Sequence, residues 1–317
     1  MQYINGENND QNIDQDRFCG LLEAEIKKRL GDDRKIDFGM SSKNNGIKLL
    51  YVMIGKEEYS NNVPMIYLEP YMEMYFSGTS MSAVVDMLVR DYLQYSQTKN
   101  IDTSIFSDWE TAKSSIFLKL INYEKNQEWL IDVPHVRFLD LAYIFYFVWE
   151  GQEFTESATT VIHNRHMEAW GQTASSLYEI SMKNTYKKEN TSVASMSDLI
   201  QDITGESLIE NSEVEDEQVP MTIVSNAKRI FGASMMGNIW LLKVLADSKG
   251  KDLYILPSST HEIIVLPAEV ENPVGEFKAI VQAVNQEQVS PEEFLSDEVY
   301  YFNREKQEVT IAKPEEL

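Results

Sequence analysis

One short turn of this sequence carries the side chains that serine hydrolases use. The segment YILPSSTHEIIVLP (254–267) places Ser258, Ser259, His261 and Glu262 between two apolar runs. A hydroxyl nucleophile, an imidazole base and a carboxylate make up a hydrolase triad, but nucleophile and base normally come from different elements so that the imidazole can reach the hydroxyl. The chain also has no GxSxG nucleophile elbow. The turn therefore favours local hydrogen bonding over serine catalysis.

The other histidines raise the possibility of a metal site. His135 precedes an apolar strand, and His163 and His166 lie at a strand-to-helix step. Three histidines with a carboxylate such as Glu262 or Asp140 would suit zinc. The spacing of His163 and His166 places them on one helical face only if the helix already includes His163. The sequence pattern at this strand-to-helix step does not favour so early a helix start. Because the chain has one cysteine and no HExxH motif, we predict no metal site.

Nucleotide cofactors are not predicted either. The sequence has neither a GxxxxGK[ST] motif nor a GxGxxG motif after a strand. Its glycine-bearing segment at 232–237 lies inside a predicted helix, where small residues allow close packing. We therefore expect no cofactor.

An enzymatic alternative remains open. It is a hydrolase or metal-dependent enzyme that combines the turn at 258–262 with His135 or His163. This alternative requires at least two of His135, His163 and His261 to converge in a concave pocket, with a carboxylate behind one of them.

Charge is the outlier of the composition, with a net value of −23. Residues 1–150 carry 15 basic and 23 acidic side chains, and residues 151–317 carry 13 and 28. Neither half has a basic stripe, so binding to a nucleic-acid backbone is disfavoured. An acidic surface suits solubility or a basic protein partner. The favoured hypothesis is a non-catalytic protein-interaction module.

The sequence also predicts a cytoplasmic location. A single cysteine, Cys19, excludes an intrachain disulfide and is expected to be a small packed residue on the first helix. The first fifteen residues are polar and acidic, unlike a signal peptide. The most apolar run, at 141–149, is far shorter than the ~20 residues of a membrane helix. We expect no membrane association.

Helical and alternating patterns are interleaved along the chain, which predicts an α+β fold with largely antiparallel sheets flanked by helices. The predicted strands are at 35–38, 47–54, 65–76, 116–123, 136–149, 159–163, 221–224, 253–256, 262–266, 299–302 and 308–311. The predicted helices are at 18–30, 84–92, 174–187, 230–245 and 273–284. A further helix is predicted to follow the strand at 159–163 and to end at Trp170. Asn45-Gly46 indicates a hairpin, and Pro70 interrupts the strand at 65–76.

Two interlocked lobes are expected, at 1–125 and 126–317. Eight carboxylates and no base lie between Asp198 and Glu217. Residues 206–218, which overlap that stretch, are the best candidate for an acidic loop sensitive to proteases.

Read from end to end, the sequence resembles the domain of unknown function 5688 family, an uncharacterised bacterial group. The matching segments are KNNGIKLL (43–50), YLEPYMEMYFSG (67–78), KLINYEKN (119–126), VPHVRFLDLAYIFY (133–146), IHNRHMEAWG (162–171), LYEISMKNT (177–185), YILPSSTHEIIVLP (254–267) and PEEFLSDEVYYF (291–302). The C-terminal half is also similar in layout to the YtpQ-like group. The resemblance implies a bacterial cytoplasmic protein. It implies no catalytic residue, cofactor or partner. It leads us to expect an aliphatic residue where this chain has Thr260, so that position is predicted to be a packing site.

Overall fold

The computed structural model describes residues 9–56, 63–97, 108–149, 158–187, 190–195, 221–257, 259–268 and 274–313. The chain divides into two compact units, Met1–Thr103 and Ser104–Leu317. Helices accompany the sheets in both units, and every described strand pair is antiparallel. The predicted α+β class is confirmed. No helix in these ranges is long and apolar enough to cross a membrane.

The first unit combines helices with a three-stranded sheet of order β1-β2-β3. Its elements are α1 (Asn9–Leu30), β1 (Arg34–Ser42), a 3-10 turn (Asn44–Gly46), β2 (Lys48–Lys56), β3 (Met65–Tyr67), α2 (Glu69–Phe76) and α3 (Met81–Gln97). α1 buries Phe18, Leu22 and Ile26 at helical spacing. Asn45 and Gly46 both have positive φ, so they form the predicted turn of the β1-β2 hairpin.

The strand predicted at 65–76 is wrong beyond Tyr67. β3 ends there, and α2 begins at Glu69 with Pro70 in its first turn. Proline suits that position because its φ is already helical and its missing N–H is not needed there. A side-chain oxygen of Glu69 accepts a hydrogen bond from the Leu50 amide at 2.7 Å and so fixes the start of α2 against β2. Pro70, which interrupts the alternating strand pattern, therefore marks the start of a helix.

The second unit contains a four-stranded and a six-stranded sheet in its described residues. Its elements are α4 (Trp109–Ala112), a 3-10 turn (Lys113–Ser115), β4 (Ile116–Asn122), 3-10 turns at Glu124–Asn126 and Trp129–Ile131, β5 (His135–Phe138), β6 (Leu141–Trp149), β7 (Ala158–Val161), α5 (Asn164–Ala169), α6 (Ala174–Thr185), β8 (Thr191–Ser195), β9 (Thr222–Asn226), a 3-10 segment (Gly232–Gly237), α7 (Ile239–Lys249), β10 (Leu253–Pro257), β11 (Ile263–Pro267), α8 (Val274–Glu287), β12 (Tyr300–Asn303) and β13 (Glu308–Ile311).

The pairing of the strands determines which histidine-bearing segments lie next to each other in the four-stranded sheet. In the four-stranded sheet, β6 pairs with β4 on one side and with β5 and β7 on the other. His135 lies opposite Ile144, and the Ile162 amide donates to the Phe145 carbonyl at 2.9 Å. The start of β5 and the residues before α5 therefore occupy adjacent positions along β6.

The main core lies between the two sheets of the second unit. Leu118, Leu120 and Phe145 come from the four-stranded sheet, while Ile255 and Phe302 come from the six-stranded sheet, of order β13-β12-β10-β11-β9-β8. All five are fully buried or nearly so. A smaller apolar cluster lies where α8 packs on the six-stranded sheet.

Two further predictions need correction. The strand at 136–149 is a hairpin, because the chain reverses at Leu139, which has a positive φ. The helix at 230–245 starts only at Ile239, where Asn238 caps it by accepting from the Leu241 amide. Its predicted first part is instead the buried 3-10 segment, reached through a left-handed Phe231. The strand β8 has no counterpart among the predicted elements.

The boundary between the two units also differs from the expected one. It lies at 103/104 and not at 125/126. The reason is β4, which pairs over its whole length with β6 and contributes Ile116, Leu118 and Leu120 to the core of the second unit. The acidic stretch at 206–218 lies outside the described residues.

Candidate functional site

The turn between β10 and β11 is a hydrogen-bonded structural turn. The two strands pair in antiparallel register, as predicted, and Ser258 lies outside the described residues. Ser259 Oγ accepts a hydrogen bond from the His261 amide at 3.0 Å. The half-buried Glu262 directly precedes β11. The hydroxyl of Ser259 thus satisfies a local backbone donor, as expected for a polar turn.

Thr260 packs at the centre of this turn. It is fully buried, its amide donates to the Glu293 carbonyl at 2.9 Å, and its carbonyl accepts from the Ala233 amide at 3.2 Å. The hydroxyl Oγ1 has no hydrogen-bond partner among the described residues. The buried hydroxyl loses its hydrogen bonds to water without gaining one to the protein, so its side chain serves this turn through packing alone.

His261 uses both ring nitrogens in structural contacts. Nδ1 accepts from the Phe231 amide at 3.2 Å, so the proton lies on Nε2, which is 3.3 Å from Glu293 Oε1. The ring also stacks on Phe231, with centroids 5.5 Å apart. The carboxylate behind this histidine is therefore Glu293 and not Glu262. With both nitrogens occupied, His261 is not placed to act as a base for the turn hydroxyls.

Phe231 joins this turn to the four-stranded sheet. Its ring meets Tyr146 edge-on at 5.0 Å, and Lys119 Nζ lies 3.9 Å from its centroid. Lys119 is buried on β4, where an aromatic face can partly replace water around the ammonium group. The sequence gives no sign of this cluster, because Lys119, Phe231 and Glu293 are far apart along the chain.

His163 pairs with a carboxylate that the sequence analysis missed. Its Nδ1 lies 2.7 Å from Asp132 Oδ2. Asn164 fixes the two segments together, since its amide donates to the Asp132 carbonyl at 2.8 Å and its Nδ2 donates to the Ile131 carbonyl at 2.9 Å. The pair joins the loop after a 3-10 turn to the start of α5, and its members are 31 positions apart in the sequence.

His166 lies beside this pair. Its Nδ1 accepts from the His163 amide at 3.0 Å, and the two rings meet edge-on at 5.6 Å. The Arg165 Nε lies 3.2 Å from His166 Nε2. Burial of the ring, followed by the charge of Arg165, lowers the pKa of His166 to about 4. His166 is therefore neutral near pH 7.

His135 has separate surroundings. Its Nδ1 is 2.9 Å from the Val133 carbonyl, and its ring lies 6.1 Å from that of Tyr123. Tyr123 also contacts Arg137, whose guanidinium lies 3.8 Å from the Tyr123 centroid. His135, His163 and His261 thus contact three different partners: a backbone carbonyl, Asp132 and Glu293.

The described part of the chain shows no arrangement of side chains for metal binding and no activated thiol. No group of three or more His, Cys, Asp or Glu side chains is arranged there to hold a metal ion. Cys19 is half-buried against the core of the first unit. Burial and the nearby Asp16 raise the pKa of its thiol, which disfavours the reactive thiolate.

Comparison with known proteins identifies a family but no characterised relative. No curated protein and no solved structure matches the chain significantly. The similarity to the YtpQ-like group stays a prediction. A family model described as "Family of unknown function (DUF5688)" matches residues 15–304, nearly the whole sequence. The chain therefore belongs to this family of unknown function, DUF5688.

Proposed function

We propose that the protein is a non-catalytic, acidic interaction module of the bacterial cytoplasm that binds a basic protein partner. The observation that carries this proposal is the outer face of α8. Ile280 and Val284, one helical turn apart, have 55% and 37% of their surface exposed. The adjacent face, about a quarter of the helix circumference away, is anchored by Val274 and Val281 in the smaller apolar cluster of the second unit.

The charge around α8 supports a basic partner. Residues 274–298 include six acidic side chains and one base, Lys278. Lys278 Nζ lies 2.7 Å from both carboxylate oxygens of Glu298, so its charge is already compensated. Exposed apolar side chains within an acidic rim suit a partner with an apolar ridge flanked by Lys or Arg.

A second exposed apolar pair fits this role less well. Trp240 and Val244 on α7 are 67% and 45% exposed. Their helix carries Lys243, Asp247 and Lys249, so it is not acidic, and Lys243 pairs with Asp247. We therefore place the binding face on α8.

The enzymatic alternative has less support. A hydrolase or metal-dependent enzyme built on the turn at 258–262 needs a second histidine at that turn. His261 is instead engaged by Phe231 and Glu293, while His135 and His163 have partners of their own.

The first prediction tests the binding face by affinity capture. Immobilised protein is exposed to bacterial cytoplasmic extract, and bound proteins are quantified by mass spectrometry at increasing salt. We expect a basic protein whose capture falls as salt is raised, because exposed charges are screened. Ile280→Ser with Val284→Ser should reduce that capture at least tenfold.

Leu93→Ser provides the matched control, since Leu93 is 45% exposed on α3 of the first unit. It should leave capture unchanged. Capture that does not vary with salt would remove the electrostatic part of the proposal. Equal capture by the α8 double variant would remove α8 as the binding face.

A further inference from the structure

The pair of Asp132 and His163 has a chemical property that the interaction function does not use. An ionised carboxylate only accepts hydrogen bonds, so the 2.7 Å contact places the ring proton of neutral His163 on Nδ1. The other nitrogen, Nε2, then carries a lone pair. A carboxylate behind the N–H also fixes the tautomer and the orientation of the ring.

The surroundings hold this ring in place and leave it accessible. Asn164 ties the Asp132 loop to His163 through two hydrogen bonds, and the His163 amide is bonded to His166. The His163 side chain is 27% exposed. An orientated imidazole at the surface can therefore meet a reagent or partner from solution.

The other three histidines do not show this combination in their contacts with the described residues. Both nitrogens of His261 are engaged. In His166, Nδ1 accepts from a backbone amide and Nε2 lies against Arg165. His135 is held by an uncharged carbonyl. Among the contacts of the described residues, a carboxylate holds Nδ1 in His163 and in none of the other three histidines.

The contacts of His163 favour direct nucleophilic attack by its ring nitrogen over activation of a serine hydroxyl. Within the described ranges, no hydroxyl is bonded to His163, so it has no side chain to activate as a base. A histidine that is itself the nucleophile needs only an accessible lone pair. The Arg165 guanidinium, held beside His166, adds a cation to the same group of side chains, which favours an anionic electrophile.

We propose that His163 Nε2 is a phosphoryl-accepting site, loaded by a donor with a labile P–N bond such as a phosphohistidine on another protein. The Nε2 lone pair forms the new N–P bond as the donor P–N bond breaks. The leaving nitrogen keeps that electron pair and takes up a proton from solvent. The Nδ1 proton stays on the ring, bonded to Asp132, so no oxidant or metal is required. This proposal is independent of the binding face on α8.

The test uses the full-length protein and phosphoramidate, a small donor with the same bond. After incubation, the protein is digested at mildly alkaline pH, which preserves N–P bonds, and the phosphorylated peptide is identified by mass spectrometry. We expect one phosphoryl group, on His163, and its loss in His163→Gln. Asp132→Asn should slow the reaction at least tenfold, because an amide can donate to Nδ1 and so convert Nε2 into an N–H.

His135→Gln is the matched control and should react at the wild-type rate. Phosphorylation spread evenly over the four histidines, or located mainly on another one, would overturn the proposal. So would an Asp132→Asn variant that reacts as fast as the wild type. Because the position of the label in the wild-type protein is itself decisive, the test does not depend on the folding of any variant.

Discussion

His166 couples protonation to stability at the start of α5. Its pKa is about 4 in the folded protein, against 6.5 for an ordinary histidine. Between these values the unfolded chain binds a proton that the folded chain does not, so the free energy of unfolding decreases as pH falls. The contribution is complete above about pH 6.5, declines below it and is lost near pH 4.

This linkage gives a prediction for His166→Gln. A glutamine oxygen can still accept from the His163 amide but does not titrate. Between pH 7 and pH 4, we expect the free energy of unfolding of the wild type to fall by about 1 kcal/mol more than that of the variant. This figure is smaller than the full pKa shift would give, because the ring is only half-buried and solvent screens its charge. Urea unfolding at a series of pH values measures the difference. Parallel stability curves for the two proteins would contradict it.

At the scale of elements, the 3-10 segment at Gly232–Gly237 is a packed connection between the two sheets. Its residues from Gly232 to Met236 are buried, and the Ser234 carbonyl accepts from the hydroxyls of Tyr143 and Tyr186 at 3.3 and 3.1 Å. A Cβ on Gly232 would overlap Ser225 Oγ and lie 2.6 Å from the His261 carbonyl. The backbone can approach this closely only without a side chain.

We therefore predict that Gly232→Ala lowers the free energy of unfolding by about 3 kcal/mol, because the surrounding atoms are mostly backbone and cannot shift cheaply. Gly275→Ala on α8 is the control. A Cβ there meets nothing within 4 Å, and alanine favours helix, so stability should rise by roughly 0.5–1 kcal/mol. Chemical denaturation of both variants provides the measurement. A Gly232→Ala protein as stable as the wild type would show that the close packing is absent.

At the scale of the whole molecule, the two units have separate cores. Within the described ranges, the buried cluster of the first unit draws on residues from Phe18 to Tyr92. The clusters of the second unit begin at Ala112. A unit that contains its entire core is expected to fold independently.

Two fragments test this division. The fragment 104–317 should show a cooperative thermal transition and the circular dichroism of an α+β protein. The fragment 126–317 lacks β4, which removes Leu118 and Leu120 from the core and leaves one side of β6 unpaired, so it should not fold cooperatively. If 126–317 folds as well as 104–317, the boundary at 103/104 is wrong.

The sequence by itself determined the elements whose signals are local. Apolar spacing identified α1, and Gly31 marks its end with a φ of 101°. Asn45-Gly46 and the polar turn between β10 and β11 identified two hairpins because each turn is specified by its own residues. The family could likewise be recognised from short segments spread along the chain.

Tertiary structure decided what depends on contacts between distant residues. Glu293 reaches His261, and Asp132 reaches His163, across gaps that no local pattern encodes. Met65–Tyr67 and Glu69–Phe76 share one alternating pattern, yet the first part pairs with β2 while the second forms a helix on the core. The segment after Phe231 has helical spacing, but its close approach to Ser225 and His261 prevents a regular helix there. Periodicity reports which residues are buried, whereas the partner that buries them is set only when the chain is packed.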